Sequence, residues 1–116
     1  MKRAQRVLLH LDEARRVPVD PRSIYYLEAD GDDTLVRSRG AKPRRDVRSL
    51  GAIAEVFQPH GFVRIHRAFC VNIFRIREIR KRSDSQLWEA RLLPPVNQVL
   101  PVSKGNAKRL WEAFGE

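Results

Sequence analysis

Short blocks in which apolar and polar residues alternate make up most of this chain, and clusters of turn-forming residues separate them. Val7, Leu9 and Leu11 share one face of a strand predicted over residues 6–11. A shorter strand over 16–19 is followed by a turn at Asp20-Pro21-Arg22-Ser23. Residues 24–29 are aromatic and strand-like, Asp30-Gly31-Asp32-Asp33 turns the chain, and 34–39 returns as a hairpin partner. Gly40-Ala41-Lys42-Pro43 breaks that strand, and 44–47 adds another short one. Only two stretches carry a helical period. In the first, Leu50, Ile53, Ala54 and Phe57 form one stripe, with Ser49 placed to cap it and Pro59-His60-Gly61 to end it. In the second, Ala107, Leu110, Trp111 and Phe114 form the core stripe of a closing helix that begins at Ser103.

Between the helices the pattern predicts a strand over 62–66 and a non-strand link through 68–72. A longer strand over 74–81 follows, in which Ile76 and Ile79 are out of phase and imply a bulge or twist. Ser83-Asp84-Ser85 turns into a strand over 86–93 with Trp88, Ala90 and Leu92 inward. Pro94-Pro95 interrupts pairing, and 99–102 is the last strand. The expectation is a mainly β protein with two short helices, a single domain over residues 1–116.

The charge changes this picture from a fold into a partner. Twenty-three Lys and Arg face 14 Asp and Glu, a formal net charge of +9. Arg dominates, and its planar fork of donors matches phosphate oxygens and guanine edges. A surface this basic suggests a polyanionic partner, and RNA-binding proteins share the profile. The single cysteine, Cys70, permits no intrachain disulfide and fits a reducing cytoplasm. No run approaches a membrane span, so no stable membrane insertion is expected. The basic start Met1-Lys2-Arg3 leads into a short mixed segment that does not read as a signal peptide.

Two segments are more specific. One is Gly61-Phe62-Val63-Arg64-Ile65-His66-Arg67-Ala68-Phe69-Cys70-Val71-Asn72, followed by Ile73 and then Ile76-Arg77-Glu78-Ile79. The other is Leu100-Pro101-Val102-Ser103-Lys104, leading into the amphipathic closing helix. Together with Ile24-Tyr25-Tyr26-Leu27-Glu28-Ala29 and Gly31 upstream, they resemble the LytTR family of bacterial DNA-binding domains, in family order and over about residues 20–114. The resemblance implies an elongated arrangement of small antiparallel sheets with short helical pieces. It also implies a non-enzymatic transcription regulator whose loops enter the major groove of double-stranded DNA, usually as a pair of subunits on spaced, repeated elements.

Carried onto this chain, the resemblance makes Arg67 the first candidate for base contact, with Lys104 and Thr34 in the other two contact regions. Arg67 can donate two bonds to a guanine; it can equally pack over the sheet or bond backbone carbonyls. Where Gly105 stands, family members often carry a basic residue, so Lys104 is the substitute reader. The turn before Thr34 holds Asp30, Asp32 and Asp33, which repel phosphate; it lacks the ligand order of a calcium loop, so no metal is expected. Arg64 and His66 share a strand face from which either can reach a phosphate, although His66 reads more simply as a structural histidine bonded to the following turn. Asn72 reads as structural too. Ser103 is expected to cap the last helix, and Ser103, Asn106 and Lys108 to lie along the DNA backbone. Two basic runs complete the set of backbone candidates. Arg37 and Arg39 belong to one with Lys42, Arg44 and Arg45; Arg75 and Arg77 belong to the other with Arg80, Lys81 and Arg82. Alternation puts Arg75 and Arg77 on one face. Phosphate contact and a solvated face are both open readings for these runs.

No nucleophile elbow or phosphate-binding glycine loop is present, and three isolated histidines with one cysteine lack metal spacing. Neither an enzyme nor a cofactor is therefore expected. Cys70 is a small core residue or a redox-sensing thiol. The alternative function is a basic module that binds RNA or a protein. The length leaves no room for a receiver domain beside this one. If the sequence is complete, a stand-alone regulator in the cytoplasm is expected, controlled through its expression level, a membrane inhibitor or other regulatory protein partner, or self-association on DNA.

Overall fold

The computed structural model describes residues 5–116; the basic start at Met1-Lys2-Arg3 lies outside the described residues. The chain runs β1 (Val7–Asp12), β2 (Arg15–Val19), β3 (Ile24–Asp30), β4 (Asp33–Ser38), β5 (Arg44–Asp46), α1 (Leu50–Phe57), β6 (Phe62–His66), β7 (Phe69–Asn72), β8 (Ile76–Lys81), β9 (Trp88–Leu92), β10 (Val99–Val102) and α2 (Ala107–Ala113). These strands form three antiparallel sheets: β1-β2, β10-β9-β8, and a five-stranded sheet in the order β5-β4-β3-β7-β6. The described residues extend 47 × 33 × 27 Å, so the mainly β and elongated expectation holds.

The five-stranded sheet is the middle layer. One face packs against α1 and β1 through a cluster that includes Leu9, Leu27, Ile53, Phe57 and Phe62. The other packs against the three-stranded sheet and α2 through Tyr26, Ile65, Val71, Leu92 and Leu110. In β3 the pairing shifts between Ile24 and Tyr26, a bulge that turns both Tyr25 and Tyr26 toward the second cluster while Ile24 and Leu27 serve the first.

That layering explains the main departure from the sequence pattern. The link expected over 68–72 is instead β7, paired with β3 through Tyr26↔Val71 and Glu28↔Phe69 and with β6 through Val63↔Val71. Phe69 and Val71 face one cluster and Cys70 the other, so a strand covered on both sides shows no polar alternation. Asn72 then ends it: its side chain accepts from the Phe74 N–H at 3.0 Å and donates to the Ile24 carbonyl at 2.9 Å. The following Ile73–Arg75 is a 3-10 turn, so β8 begins at Ile76, and Arg75 does not share a strand face with Arg77. The expected irregularity is present as a register shift between Ile76 and Glu78.

Helix α1 forms where the stripe and cap predicted it, with the Ser49 hydroxyl accepting from the Ala52 N–H at 3.3 Å. Its end passes through a 3-10 turn to Gly61 at φ +87°, a conformation that favours glycine. A Cβ there would also stand 2.6 Å from the Phe74 ring. At the closing helix, Lys104–Asn106 is a 3-10 turn and α2 proper starts at Ala107. Leu110 is buried and Trp111 meets Trp88 edge-on at 4.9 Å, but Phe114 lies past the helix end and is 49% exposed, outside the core expected for it.

Candidate nucleic-acid interface

Strand directions bring several turns to one end of the molecule. The β3–β4 turn closes that end of the five-stranded sheet, and so does the β6–β7 turn of His66, Arg67, Ala68 and Phe69. The Ala29 N–H donates to the Ala68 carbonyl at 2.9 Å and ties the two together. From the three-stranded sheet, Val102 ends β10 opposite Trp88, and the Ser103 N–H donates to the Ile65 carbonyl at 2.9 Å. The 3-10 turn carrying Lys104 therefore begins beside the strand that leads to Arg67. Trp88 also pairs with Lys81, so the β8–β9 connection lies on the same side, with the Lys81 ammonium 5.7 Å from the centre of the Trp88 ring.

Within this edge Arg67 is exposed, and no hydrogen bond or ion pair engages its guanidinium among the described residues. Lys104 is exposed and equally free of partners among them. The backbone beneath Arg67 is fixed. The Arg64 guanidinium donates to the His66 carbonyl at 3.0 Å and to the Arg67 carbonyl at 2.6 Å, and the His66 Nδ1 accepts from the Ala68 N–H at 3.0 Å. Two donors of Arg64, expected for phosphate, are thus spent on the backbone of its own turn. His66 bonds the following turn, its simpler reading, and its ring sits 5.7 Å from that of Phe69.

The β3–β4 turn is built differently. Thr34, expected at a base, is fully buried, and its hydroxyl donates to the Arg48 carbonyl at 2.8 Å. In this fold its side chain belongs to the core and not to the exposed edge. The turn's acids are partly neutralised: Arg45 forms ion pairs with Asp30 and, at 3.3 Å, with Asp33. Behind the turn, Asp46 pairs with Thr34 across the sheet and is fully buried. It accepts from the His10 and Arg48 N–H groups at 2.8 and 2.9 Å and forms an ion pair with the Arg48 side chain at 2.8 Å. Burial pushes the Asp46 carboxyl up, but these bonds outweigh it and hold it below the ordinary carboxylate value.

The remaining sequence candidates separate. Ser103 makes no side-chain cap; its hydroxyl accepts from the Asn106 amide at 2.6 Å, so these two polar groups satisfy each other at the Lys104 turn. Lys108 is exposed on α2, 4.0 Å from Glu112. Arg37 lies mid-sheet beside Tyr26, half-buried, with its Nε lacking a partner among the described residues. Arg39 and Arg75 lie at the opposite end, and Arg77 is exposed near the start of β8. The Arg39 N–H donates to the Ser23 carbonyl, and the Arg75 guanidinium donates to the Arg22 carbonyl and sits 5.2 Å from the centre of the Tyr25 ring. Three contributions escaped the sequence pattern: the backbone bonds of Arg64, the Arg45 clasp and the buried Asp46. Each depends on contacts that cross a turn or a sheet, and only the Asp-rich turn facing a basic run hinted at one of them.

Cys70 is buried between the layers, and burial pushes its thiol up to about 12 despite the nearby Arg64 charge. The thiolate needed for redox chemistry is therefore scarce at neutral pH. Among the described residues no three His, Cys, Asp or Glu side chains are grouped as a metal site, and no helix is long and apolar enough to cross a membrane.

Comparison with known proteins gives this edge its context. No curated protein sequence matches the chain. Among solved structures, the LytTr DNA-binding domain of a protein from Bacillus cereus superposes with a TM-score of 0.75 at 23% identity, covering 97% of this chain and 99% of that one. That likeness concerns the fold. The family described as LytTr DNA-binding domain matches residues 14–115, nearly the whole sequence and both segments that carry Arg67 and Lys104. The chain belongs to the LytTR family of DNA-binding domains, a non-enzymatic family that binds DNA in transcription regulation.

Proposed function

We propose that this domain recognises a specific duplex DNA sequence by inserting the β6–β7 turn and the Lys104 turn into the major groove, and so regulates transcription. The observation that carries the reading is the exposed Arg67 guanidinium, without a partner among the described residues, on a turn whose backbone is tied down on several sides. A side chain of this type can donate two bonds to guanine O6 and N7. Lys104, on the neighbouring turn, reaches a base or phosphate. Lys108 and Lys81 flank them as phosphate contacts that set register. Binding by two copies on spaced repeats, a cytoplasmic location and control by a regulatory protein partner follow the family pattern and form part of the same proposal.

Selection of bound fragments from random duplex DNA by the purified protein tests it. Enrichment of a short motif, repeated at about one helical turn, is the expected result. With about six phosphates contacted, affinity for that motif should fall with salt at a log–log slope near −5. Uniform recovery without a motif would leave charge-driven binding alone and favour an RNA or protein partner.

A further inference from the structure

We infer that Arg64 is a positioning residue for DNA recognition: it acts through the backbone, by locking the β6–β7 turn in the shape that presents Arg67. The inference rests on the proposed reading of Arg67 and goes beyond it by assigning a role to a side chain that need not touch DNA.

The β6–β7 pairing is regular from Phe62↔Asn72 to Arg64↔Cys70, then shifts, so that His66 rather than Ile65 opposes Phe69. This irregularity releases the turn from the repeating ladder. The part-buried carbonyl of His66 then needs a donor from elsewhere, and the more exposed carbonyl of Arg67 is left free to take one. Arg64 supplies them. Its Nε reaches the His66 carbonyl at 3.0 Å and its Nη2 the Arg67 carbonyl at 2.6 Å, two charge-assisted bonds from one planar group. The fork fixes both peptide planes at once, a geometry an ammonium group cannot reproduce. On the other side of the turn, His66 Nδ1 and the Ala29 N–H hold Ala68. Arg67 is thus held through its backbone while, among the described residues, no hydrogen bond or ion pair engages its guanidinium. Ordering the turn before binding lowers the cost of placing Arg67 against a base edge. Arg64 itself has these donors committed to the turn's backbone.

The test compares wild type, Arg64→Lys, Arg64→Met and Arg67→Ala on a selected duplex and on a scrambled duplex of equal length, across a salt series. Melting is followed for each protein so that all are compared folded. Positioning predicts that both Arg64 variants lose about tenfold in the ratio of specific to scrambled affinity, within what one bidentate base contact supplies. The salt slope should stay unchanged even in Arg64→Met, and combining either variant with Arg67→Ala should cost no further discrimination. If Arg64 instead contacts phosphate, Arg64→Met should flatten the slope by about one unit and Arg64→Lys should restore binding; that result overturns the proposal. Amide exchange at Arg67 and Ala68 keeps the two readings distinguishable. A wild-type affinity ratio near one would remove the base-reading role of Arg67, and unchanged exchange in Arg64→Lys would remove the lock; faster exchange there supports it.

Discussion

Two turns close the same end of the five-stranded sheet, and they handle charge in opposite ways. The β3–β4 turn carries Asp30, Asp32 and Asp33, and the fold answers from within: Arg45 bonds two of the three, while Thr34 is buried behind them. The β6–β7 turn carries Arg67, and the fold answers only its backbone, through Arg64, His66 and Ala29, leaving its charge to the outside. The two lie side by side, joined through the β3–β7 pairing that ends at Glu28↔Phe69 and by the hydrogen bond from Ala29 to Ala68. Charge that is matched internally stiffens a turn; charge left unmatched on a stiff turn is available to a partner. Net charge alone cannot make that distinction, because it counts Arg45 and Arg67 alike.

The largest effect is expected at the base of the acidic turn. Asp46→Ala removes the partner of Arg48 and the acceptor of two backbone N–H groups in a fully buried position. It should destabilise the domain by about 2–4 kcal/mol in urea unfolding, below the full cost of orphaning a buried charge because Arg48 keeps a fifth of its side chain in water. The sign with pH follows from the lowered folded-state pKa. The contribution of Asp46 is present above the unfolded value near 3.9 and is lost as pH falls through its folded value. Wild-type stability should therefore drop on acidification more than that of Asp46→Asn. An equal drop would assign the acid sensitivity to other carboxyl groups.

At the basic turn the effect should fall on recognition instead. Arg67→Ala should leave the urea midpoint nearly unchanged and remove about 1–3 kcal/mol of discrimination between the selected and scrambled duplexes. Equal weakening on both sequences would make Arg67 a phosphate contact and erase the contrast between the turns.

The sequence revealed these two turns unequally. Ser49, Leu50, Ile53 and Phe57 announce α1 because cap and stripe lie within three turns of chain, and strands with one wet face show their period directly. β7 did not, because Phe69, Cys70 and Val71 are covered on both sides and the period vanishes. The segments carrying Arg67 and Lys104 were legible through their resemblance to a family. Their convergence rests on the Ser103–Ile65 bond between two different sheets, which no local pattern encodes. The burial of Thr34 was hidden for the same reason: a polar residue beside a turn looks exposed until Arg48, fourteen positions away, accepts its hydroxyl. Thr34→Val tests whether that burial keeps Thr34 out of recognition. Losing the bond should cost about 1 kcal/mol of stability and leave sequence preference intact; lost preference with unchanged stability would return Thr34 to the interface.

The smallest effect concerns the clasp itself. In the double variant Asp30→Asn, Asp33→Asn, Arg45 loses both ion-pair partners and two negative charges leave the edge that carries Arg67. Both ion pairs are half-exposed, so folding stability should barely change. DNA binding should respond in a direction that no loss of structure produces. Affinity should rise on selected and scrambled duplexes together, and the salt slope should steepen by about one unit as a freed Arg45 displaces one more counterion. The ratio between the two duplexes should hold, because the β6–β7 turn keeps its own bonds. A fall in affinity would show that the clasp shapes the neighbouring turn through Ala29 and Ala68. The two turns would then form one recognition unit, and the division between matched and unmatched charge would give way to mechanical coupling across the seam between β3 and β7.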